Sequence, residues 1–495
     1  MGTAVRVSKE EFGIRRASSG SPELDTFLSG GFPSGSLILV SGNPGTGKTT
    51  LTSSFLYEGS KRRGENGIYV SFSESKKSFY QNMAAIGMDF EKLEKAGHFR
   101  FLEMFSATRE GMSEIAKFIL EEIKRFGAKR LVIDSYSVMA QALGNQYEGR
   151  QVLHTFFSRI MRNMDCTTLV IGEQPTGEYR IGDASEEFVA DGVINLKLTI
   201  PREMEIRKMR GTKLSSRNLL YTLEGGFNVV TTVLRHAEVA KMWQPIPDSK
   251  GRLSSGSPDL DAILGGGFPE GTYVVLEVAN DVPVREVRLL TRGIVLNFIS
   301  QERGAMMIPT RGVDSGDIKA SFGRYVSEQN FDAYMRIQQQ IEPAPSKNGA
   351  RAIPPYAIPI MPGLGNRGTR NLTTASLTFD AAEEILKKRT ENRPIARIIA
   401  YDTLEGEYAQ EPDKLLNEIG LAMTRTRTRG DLTIAIGRPS FGLLPKVVGM
   451  VDWHIKLWKA DGVLLLQGVK PSTNIYAADC DVSKGYPVLT LKMLT

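Results

Sequence analysis

The sequence predicts an α/β protein of two tandem domains, each a mostly parallel, twisted sheet flanked by helices. Three observations predict it. Strand-like and helix-like patterns alternate along the chain, a G-x-x-x-x-G-K-T motif sits at a strand-to-helix junction, and the chain contains an internal duplication. Ser18 to Gly35 reads SSGSPELDTFLSGGFPSG and Ser254 to Gly271 reads SSGSPDLDAILGGGFPEG, with thirteen of eighteen positions identical. The spacing of 236 residues is too long for a solenoid unit and suits a whole domain copied once.

Taken in order, residues 1–13 are an N-terminal tail and 14–240 form the first domain. Its strands are expected at Leu37 to Ser41, Gly67 to Phe72, Phe99 to Glu103, Arg130 to Asp134 and Thr168 to Gly172, apolar runs bounded by turn residues. Helices are expected at Thr49 to Arg63, Gly111 to Phe126 and Gly149 to Asn163, with Gly64 and Gly127 as stops. Strand-like runs at Val193 to Leu198, Glu203 to Met209 and Leu220 to Leu223 predict an antiparallel closing edge. The joint runs from Arg235 to Gly251, with 241–251 as linker, and 252–495 form the second domain. There strands are expected at Tyr273 to Leu276, Ala305 to Ile308, Arg397 to Tyr401 and Leu432 to Ile436, and a helix at Val284 to Ile299. Residues 341–371 carry Pro343, Pro345, Pro354, Pro355, Pro359 and Pro362, which predicts an exposed loop able to meet a partner.

The motif carries the chemistry. Gly42, Asn43, Pro44, Gly45, Thr46, Gly47, Lys48, Thr49 and Thr50 follow an apolar strand and open a helix. Closely spaced glycines let successive backbone N–H groups turn inward around an anion, and the helix N-terminus adds partial positive charge. This is a phosphate-binding loop and marks a nucleotide site. Lys48 is placed to reach the β- and γ-phosphates and Thr49 to ligate Mg²⁺. Asp134, at the end of the strand Arg130 to Asp134, is the second metal-site candidate, and Glu74, just past the second strand, is the candidate for orienting the attacking water.

Composition sets the bounds. The 495 residues are 41% apolar and 24% charged, ordinary for globular domains, and no apolar run of membrane-spanning length occurs. The N-terminus Met-Gly-Thr-Ala-Val-Arg lacks the apolar core of a signal peptide, so a cytoplasmic location is expected. Cys166 and Cys480 lie far apart, and His98, His154, His236 and His454 show no metal spacing. A net charge of +6 permits an acidic partner without arguing for one.

In the second copy the counterpart of the loop is Val278, Ala279, Asn280, Asp281, Val282, Pro283, Val284 and Arg285. It has no glycine for the nest and no lysine, Pro283 lacks a donor, and Asp281 repels phosphate. No glutamate stands near Thr310 and Arg311, and Asp402 is expected at the place of Asp134. One working nucleotide site and one retired domain, kept for packing, oligomer contacts or partner binding, are therefore expected.

The phrase GSPELDTFLSGGFPSGS, the loop GNPGTGKT, the strand end LVIDS and the segment Lys208-Met209-Arg210-Gly211-Thr212 together resemble the KaiC family, within the RecA superfamily of ATPases. The resemblance covers the whole chain, specifically in the first copy and only skeletally in the second. It implies two RecA-like domains, ring-shaped homo-oligomers, typically hexamers, and ATP held between neighbours. It also implies that Lys208 and Arg210 of one subunit reach the γ-phosphate bound by the next, as an arginine finger would. Arg202, Arg207, Lys208, Arg210 and Lys213 also read as a solvated basic hairpin, and the matching stretch Leu466 to Pro471 lacks the arginine. The family usually carries adjacent glutamates after the second strand, and here Ser73 stands in place of the first. The autokinase activity of the family's second domain is not expected, because Val278 to Arg285 cannot hold ATP.

The chain also resembles gas-vesicle regulators of the GvpD type, which implies a phosphate loop, basic patches and action through a protein partner. Arg425, Arg427 and Arg429 would form such a patch, and their alternation equally suits a solvated helix end. Three functions follow: an ATPase that signals through conformation, a nucleotide-gated regulatory module with little turnover, and a RecA-type DNA recombinase. The last is disfavoured, because Gln141 to Arg150 and Pro175 to Glu186, in the places of DNA loops, carry few basic or aromatic residues.

Overall fold

The computed structural model describes residues 14–104, 111–142, 155–156, 165–173, 190–231, 239–340, 355–360 and 374–494. The expected helix 149–163 lies outside these apart from residues 155–156, as do Pro175 to Glu186 and most of Gln141 to Arg150. The chain divides into two compact units, residues 1–231 and 232–493.

In the first unit, β1 (Leu37–Gly42) leads through the glycine loop into α1 (Lys48–Arg62). There follow β2 (Gly67–Ser71), α2 (Lys76–Ala85), α3 (Phe90–Lys95), β3 (Phe99–Glu103), α4 (Gly111–Phe126), β4 (Arg130–Asp134) and β5 (Thr167–Glu173). The unit closes with β6 (Gly192–Lys197), β7 (Glu203–Met209), β8 (Asn218–Thr222) and β9 (Asn228–Val230). The sheet order is β9-β8-β7-β6-β1-β5-β4-β2-β3. Strands β6 through β3 pair in parallel, and β7, β8 and β9 add an antiparallel edge. Both faces of the parallel strands are buried, which is why they read as near-continuous apolar runs. Ile38, Val40, Tyr69 and Val132 pack with Leu51 and Phe55 of α1 on one face. Leu37, Ile68, Val70, Leu131 and Ile133 pack with Ile119 and Ile123 of α4 on the other.

The second unit repeats this topology. It contains β10 (Tyr273–Val278), α5 (Val284–Ser300), β11 (Ala305–Ile308), α6 (Ser315–Phe322), α7 (Glu328–Tyr334), β12 (Met335–Gln340), β13 (Ala357–Ile360) and α8 (Thr374–Arg389). It continues with β14 (Ala396–Ala400), α9 (Tyr401–Glu407), α10 (Pro412–Arg429), β15 (Leu432–Gly437), α11 (Leu444–Met450) and the antiparallel run β16 (Trp453–Ala460), β17 (Val463–Lys470), β18 (Ile475–Asp481) and β19 (Val488–Met493). The order β13-β12-β11-β14-β15-β10-β16-β17-β18-β19 matches the first sheet strand for strand, with β13 added at one edge. That addition corrects the reading of 341–371 as loop alone: Ala357–Ile360 pairs in parallel with β12, and Pro359 is tolerated because β13 is an edge strand. The stretch expected as a linker is packed on this unit, with the N–H of Lys241 on Gly485 O, the N–H of Trp243 on Tyr325 O, and the Trp243 ring buried.

The duplicated phrase forms the same hydrogen-bonded corner twice. Asp25 accepts from Ser18 Oγ at 2.5 Å and from the N–H of Ser19 at 2.6 Å, and Asp261 accepts from Ser254 Oγ at 2.5 Å and from the N–H of Ser255 at 2.7 Å. The glycine between the serines is forced by contact: a Cβ on Gly20 would lie 2.5 Å from Ser54 O of α1, and one on Gly256 would lie 2.4 Å from Gly293 O of α5. The phrase thus clamps the start of each domain onto the helix that follows its central strand.

Candidate functional site

The glycine loop leaves the carboxyl end of β1, the central strand flanked by β5 and β6, where open α/β sheets place their ligands. Gly47 caps α1 with φ of 89°, a left-handed conformation suited to glycine, and it directs the next N–H groups into the helix turn. Lys48 Nζ donates to Gly42 O at 2.7 Å and Asn43 O at 3.1 Å. Thr46 Oγ1 donates to Asn43 O at 2.8 Å, and the buried Tyr221 hydroxyl donates to Thr46 O at 2.6 Å. Arg202 donates to Gly45 O at 2.9 Å. The loop is therefore braced from strand β8 by Tyr221, which carries no sequence signal, and from the turn before β7 by Arg202, which the sequence places only in a basic hairpin.

Asp134 ends β4 beside Ser71 of β2, and the neighbouring Tyr69 hydroxyl donates to Asp134 Oδ2 at 2.6 Å. Burial, and then Asp134, push the Tyr69 phenol well above its ordinary value, so it remains a neutral donor. The Thr49 hydroxyl lies close enough to the phenol to pull in the opposite direction, so Thr49, Tyr69 and Asp134 share one corner. Tyr69 is held there by stacking on Phe101 at 5.4 Å and by contact with Phe79 at 4.4 Å. A hydroxyl and a carboxylate, hard oxygen donors, suit Mg²⁺, which binds through few protein ligands and keeps its waters. Tyr69 carried no sequence signal beyond being the polar group inside an aliphatic strand.

Glu74 follows β2 because the Ser71 hydroxyl accepts the Glu74 N–H at 2.9 Å and turns the chain. Its Oε1 accepts from Ser78 Oγ and Asn82 Nδ2, both at 2.8 Å. Ser73 is exposed.

Lys208 and Arg210 stand apart from this group. Lys208 Nζ donates to Ala190 O at 2.6 Å, and Arg210 pairs with Asp191 at 3.1 Å. Asp191 in turn accepts the N–H of Leu37, the first residue of β1, whereas the glycine loop begins at Gly42, the last. Five residue steps at ~3.3 Å place the two ends about 17 Å apart.

In the second unit β10 runs to Val278, and Arg438 donates to Ala279 O at 2.9 Å and Val282 O at 3.1 Å, so a guanidinium ties down the loop that replaces the phosphate cradle. The sheet registers correct one expectation. Leu37 pairs with Thr168 and Thr168 with Leu131, while the duplicate Tyr273 pairs with Thr433 and Thr433 with Arg397. Arg397 is thus the counterpart of Leu131, and Ala400, not Asp402, is the counterpart of Asp134. Asp402 lies in the first turn of α9, where burial raises its carboxyl above the ordinary range. The run Arg425, Arg427, Arg429 ends α10, and each arginine has a carboxylate partner: Asp380 at 2.9 Å, Asp452 at 3.2 Å, and Glu383 at 2.6 Å with Glu384 at 2.9 Å.

A family model of the KaiC ATPase matches residues 17–233, and a model of GvpD basic region 2 matches residues 242–493. A UPF0273 protein of Pyrococcus horikoshii is 32% identical over 222 residues, covering 41% of this chain and 88% of its own. The chain belongs to the KaiC family, with a GvpD-type second half. Protein GvpD2 of Halobacterium salinarum is 22% identical over 515 residues, 97% of this chain and 95% of its own. Circadian clock protein KaiC3 of a Synechocystis species is 29% identical over 291 residues, 55% of each chain. This KaiC-family chain is a nucleotide-binding protein of two tandem RecA-like units. Among the described residues no helix is long and apolar enough to cross a membrane.

Proposed function

We propose that the first domain binds Mg-ATP and hydrolyses it at a site completed by a neighbouring copy of the chain, and that the second domain passes the nucleotide state to a protein partner. The loop from Gly42 to Thr50 cradles the triphosphate, with Lys48 on the β- and γ-phosphates. Thr49 and Asp134 hold Mg²⁺, which would neutralise phosphate charge when bound. Glu74 orients the attacking water, and release of its Ser78 and Asn82 hydrogen bonds accompanies that role. Lys208 and Arg210 serve the neighbour's γ-phosphate.

The observation that carries the reading is the separation within one chain. Lys208 and Arg210 sit at the start of β1 and the phosphate loop at its end. Cations so placed cannot serve their own loop, and a homo-oligomeric ring, a hexamer by family resemblance, brings one end to the other. A cytoplasmic location accords with this use of ATP.

A second reading has its own observation. Glu74 Oε1 already accepts two hydrogen bonds and Ser73 supplies no second carboxylate, which favours a nucleotide-gated, GvpD-like scaffold with little turnover. Steady-state hydrolysis with Mg²⁺, beside equilibrium nucleotide binding, separates the two. Under the first reading, wild type binds one ATP per chain and turns it over, Glu74→Gln keeps binding and loses turnover, and Lys48→Ala loses both. Tight binding with no wild-type turnover selects the scaffold.

A further inference from the structure

The second domain contains a cavity of about 110 Å³ between its sheet and helices α8, α9 and α10. At ~14 Å³ for each water-sized sphere it accommodates about eight, room for a ligand of roughly ten non-hydrogen atoms. Its walls are largely apolar, including Phe379, Ile399, Leu415 and Ile419. Two polar groups meet there: Gln338 Nε2 donates to Glu407 Oε1 at 3.3 Å. Gln338 is only 4% exposed, and its Oε1 accepts no hydrogen bond among the described residues.

The first domain shows how unusual this layer is. By register, Gln338 stands where Leu102 stands, and Arg397 where Leu131 stands. Leu131 lies within an apolar layer of the first domain and the half-buried Leu102 packs against it. An amide oxygen without a donor is costly in such a place, and a sheet that needed only packing would keep leucine. Arg397 is no free donor, since Glu383 at 2.6 Å and Asp431 at 2.7 Å already hold its guanidinium. Arg425 is likewise held by Asp380 at 2.9 Å. The carboxylates lining the cavity, Asp380, Glu383, Glu407 and Glu418, face Arg397 and Arg425 on its wall, Arg429 on Glu383 and Arg311 near Glu407. Glu407 thus has no cation within hydrogen-bond distance among the described residues, while the other three do or lie beside one. Burial also moves the Glu407 carboxyl above its ordinary range, with Arg311 opposing only in part.

We propose that this cavity binds a small hydrophobic primary amine, its ammonium group between Gln338 Oε1 and the Glu407 carboxylate and its apolar body against Phe379, Ile399 and Ile419. The amine supplies the donor that Gln338 Oε1 lacks and gives Glu407, which accepts from the neutral Gln338 amide at 3.3 Å, a charged donor. This site is separate from the nucleotide loop and stands whether or not ATP is hydrolysed.

The test is calorimetric titration of the full chain with 2-phenylethylamine and hexylamine, beside 2-phenylethanol and phenylacetate as neutral and anionic matches. At least one amine should bind one per chain, at least tenfold tighter than the alcohol, and the acid should not bind. Glu407→Gln should weaken the amine at least tenfold and leave the alcohol within twofold. Ala422→Phe, which fills the cavity from α10, should abolish both. Retained circular dichroism and retained thermal unfolding transitions in each variant separate loss of ligand from loss of fold. Failure of both amines to bind, equal binding of amine and alcohol, or a Glu407→Gln variant that binds amine like wild type would overturn the proposal.

Discussion

The Tyr69 hydroxyl donates a 2.6 Å hydrogen bond to Asp134 across two neighbouring strands, at the corner that Thr49 also shares. The phenol is buried and stays protonated, so Asp134 is held by a fixed neutral donor. A hydrogen bond to a charged group contributes about 1.5–3 kcal/mol. Tyr69→Phe should therefore lower the nucleotide-sensitive unfolding transition by an amount in that range. It should also lower the Mg²⁺ concentration that half-saturates nucleotide binding, because Asp134 gains a free lone pair. Calorimetric scans and Mg²⁺ titrations check both, and an unchanged unfolding transition would remove Tyr69 from the site.

Arg210 pairs with Asp191 at the far end of β1 from its own phosphate loop. Arg210→Ala should keep nucleotide affinity within about twofold and slow turnover by ~10³-fold, the scale of an arginine finger. Lys48→Ala should lose binding. Co-assembled Lys48→Ala and Arg210→Ala chains should regain part of the activity, since a wild-type finger then meets a wild-type loop at some interfaces. No recovery on mixing, with both variants oligomeric, would rule out the trans arrangement.

Much of this architecture was legible in the residues. Apolar strands such as Leu37–Gly42 and Arg130–Asp134 show themselves because both faces are buried, and the duplicated phrase shows itself because its Ser-Asp corner and its glycine contact tolerate little change. The second copy was harder. Asp402 looked like the partner of Asp134 because one acidic residue follows each apolar run, and only the pairing of Arg397 with Thr433 shows that it lies two positions late. Ala357–Ile360 was hidden by its prolines, which an edge strand accepts. The Gln338 and Glu407 pair left no local signal, since neither residue forms a motif and they meet only through the fold.

Acid should unfold the second domain through the network around Arg397. Burial alone would raise the Glu383 carboxyl, but Arg397 and then Arg429 outweigh it and hold the group below its ordinary 4.5. A carboxylate depressed in the folded state adds stability above its unfolded value and loses it as pH falls through the folded one. The contribution should therefore be complete well above pH 4.5 and fade progressively below it. Burial holds His454 below 6.5 against the opposing Glu277, so its protonation on acidification acts in the same direction. Glu407 acts oppositely: burial raises its carboxyl, so acid relieves a penalty there and blunts the loss. Glu383→Gln breaks a buried pair and leaves Arg397 with Asp431 alone, which should cost about 3–5 kcal/mol at pH 7. The same change should cost less at pH 3.5, because below the ordinary 4.5 the unfolded carboxyl takes up its proton and part of the wild-type advantage is gone. Urea unfolding of the two proteins at both pH values measures the difference. An equal penalty at pH 7 and pH 3.5 would show that Glu383 acts by packing rather than by charge.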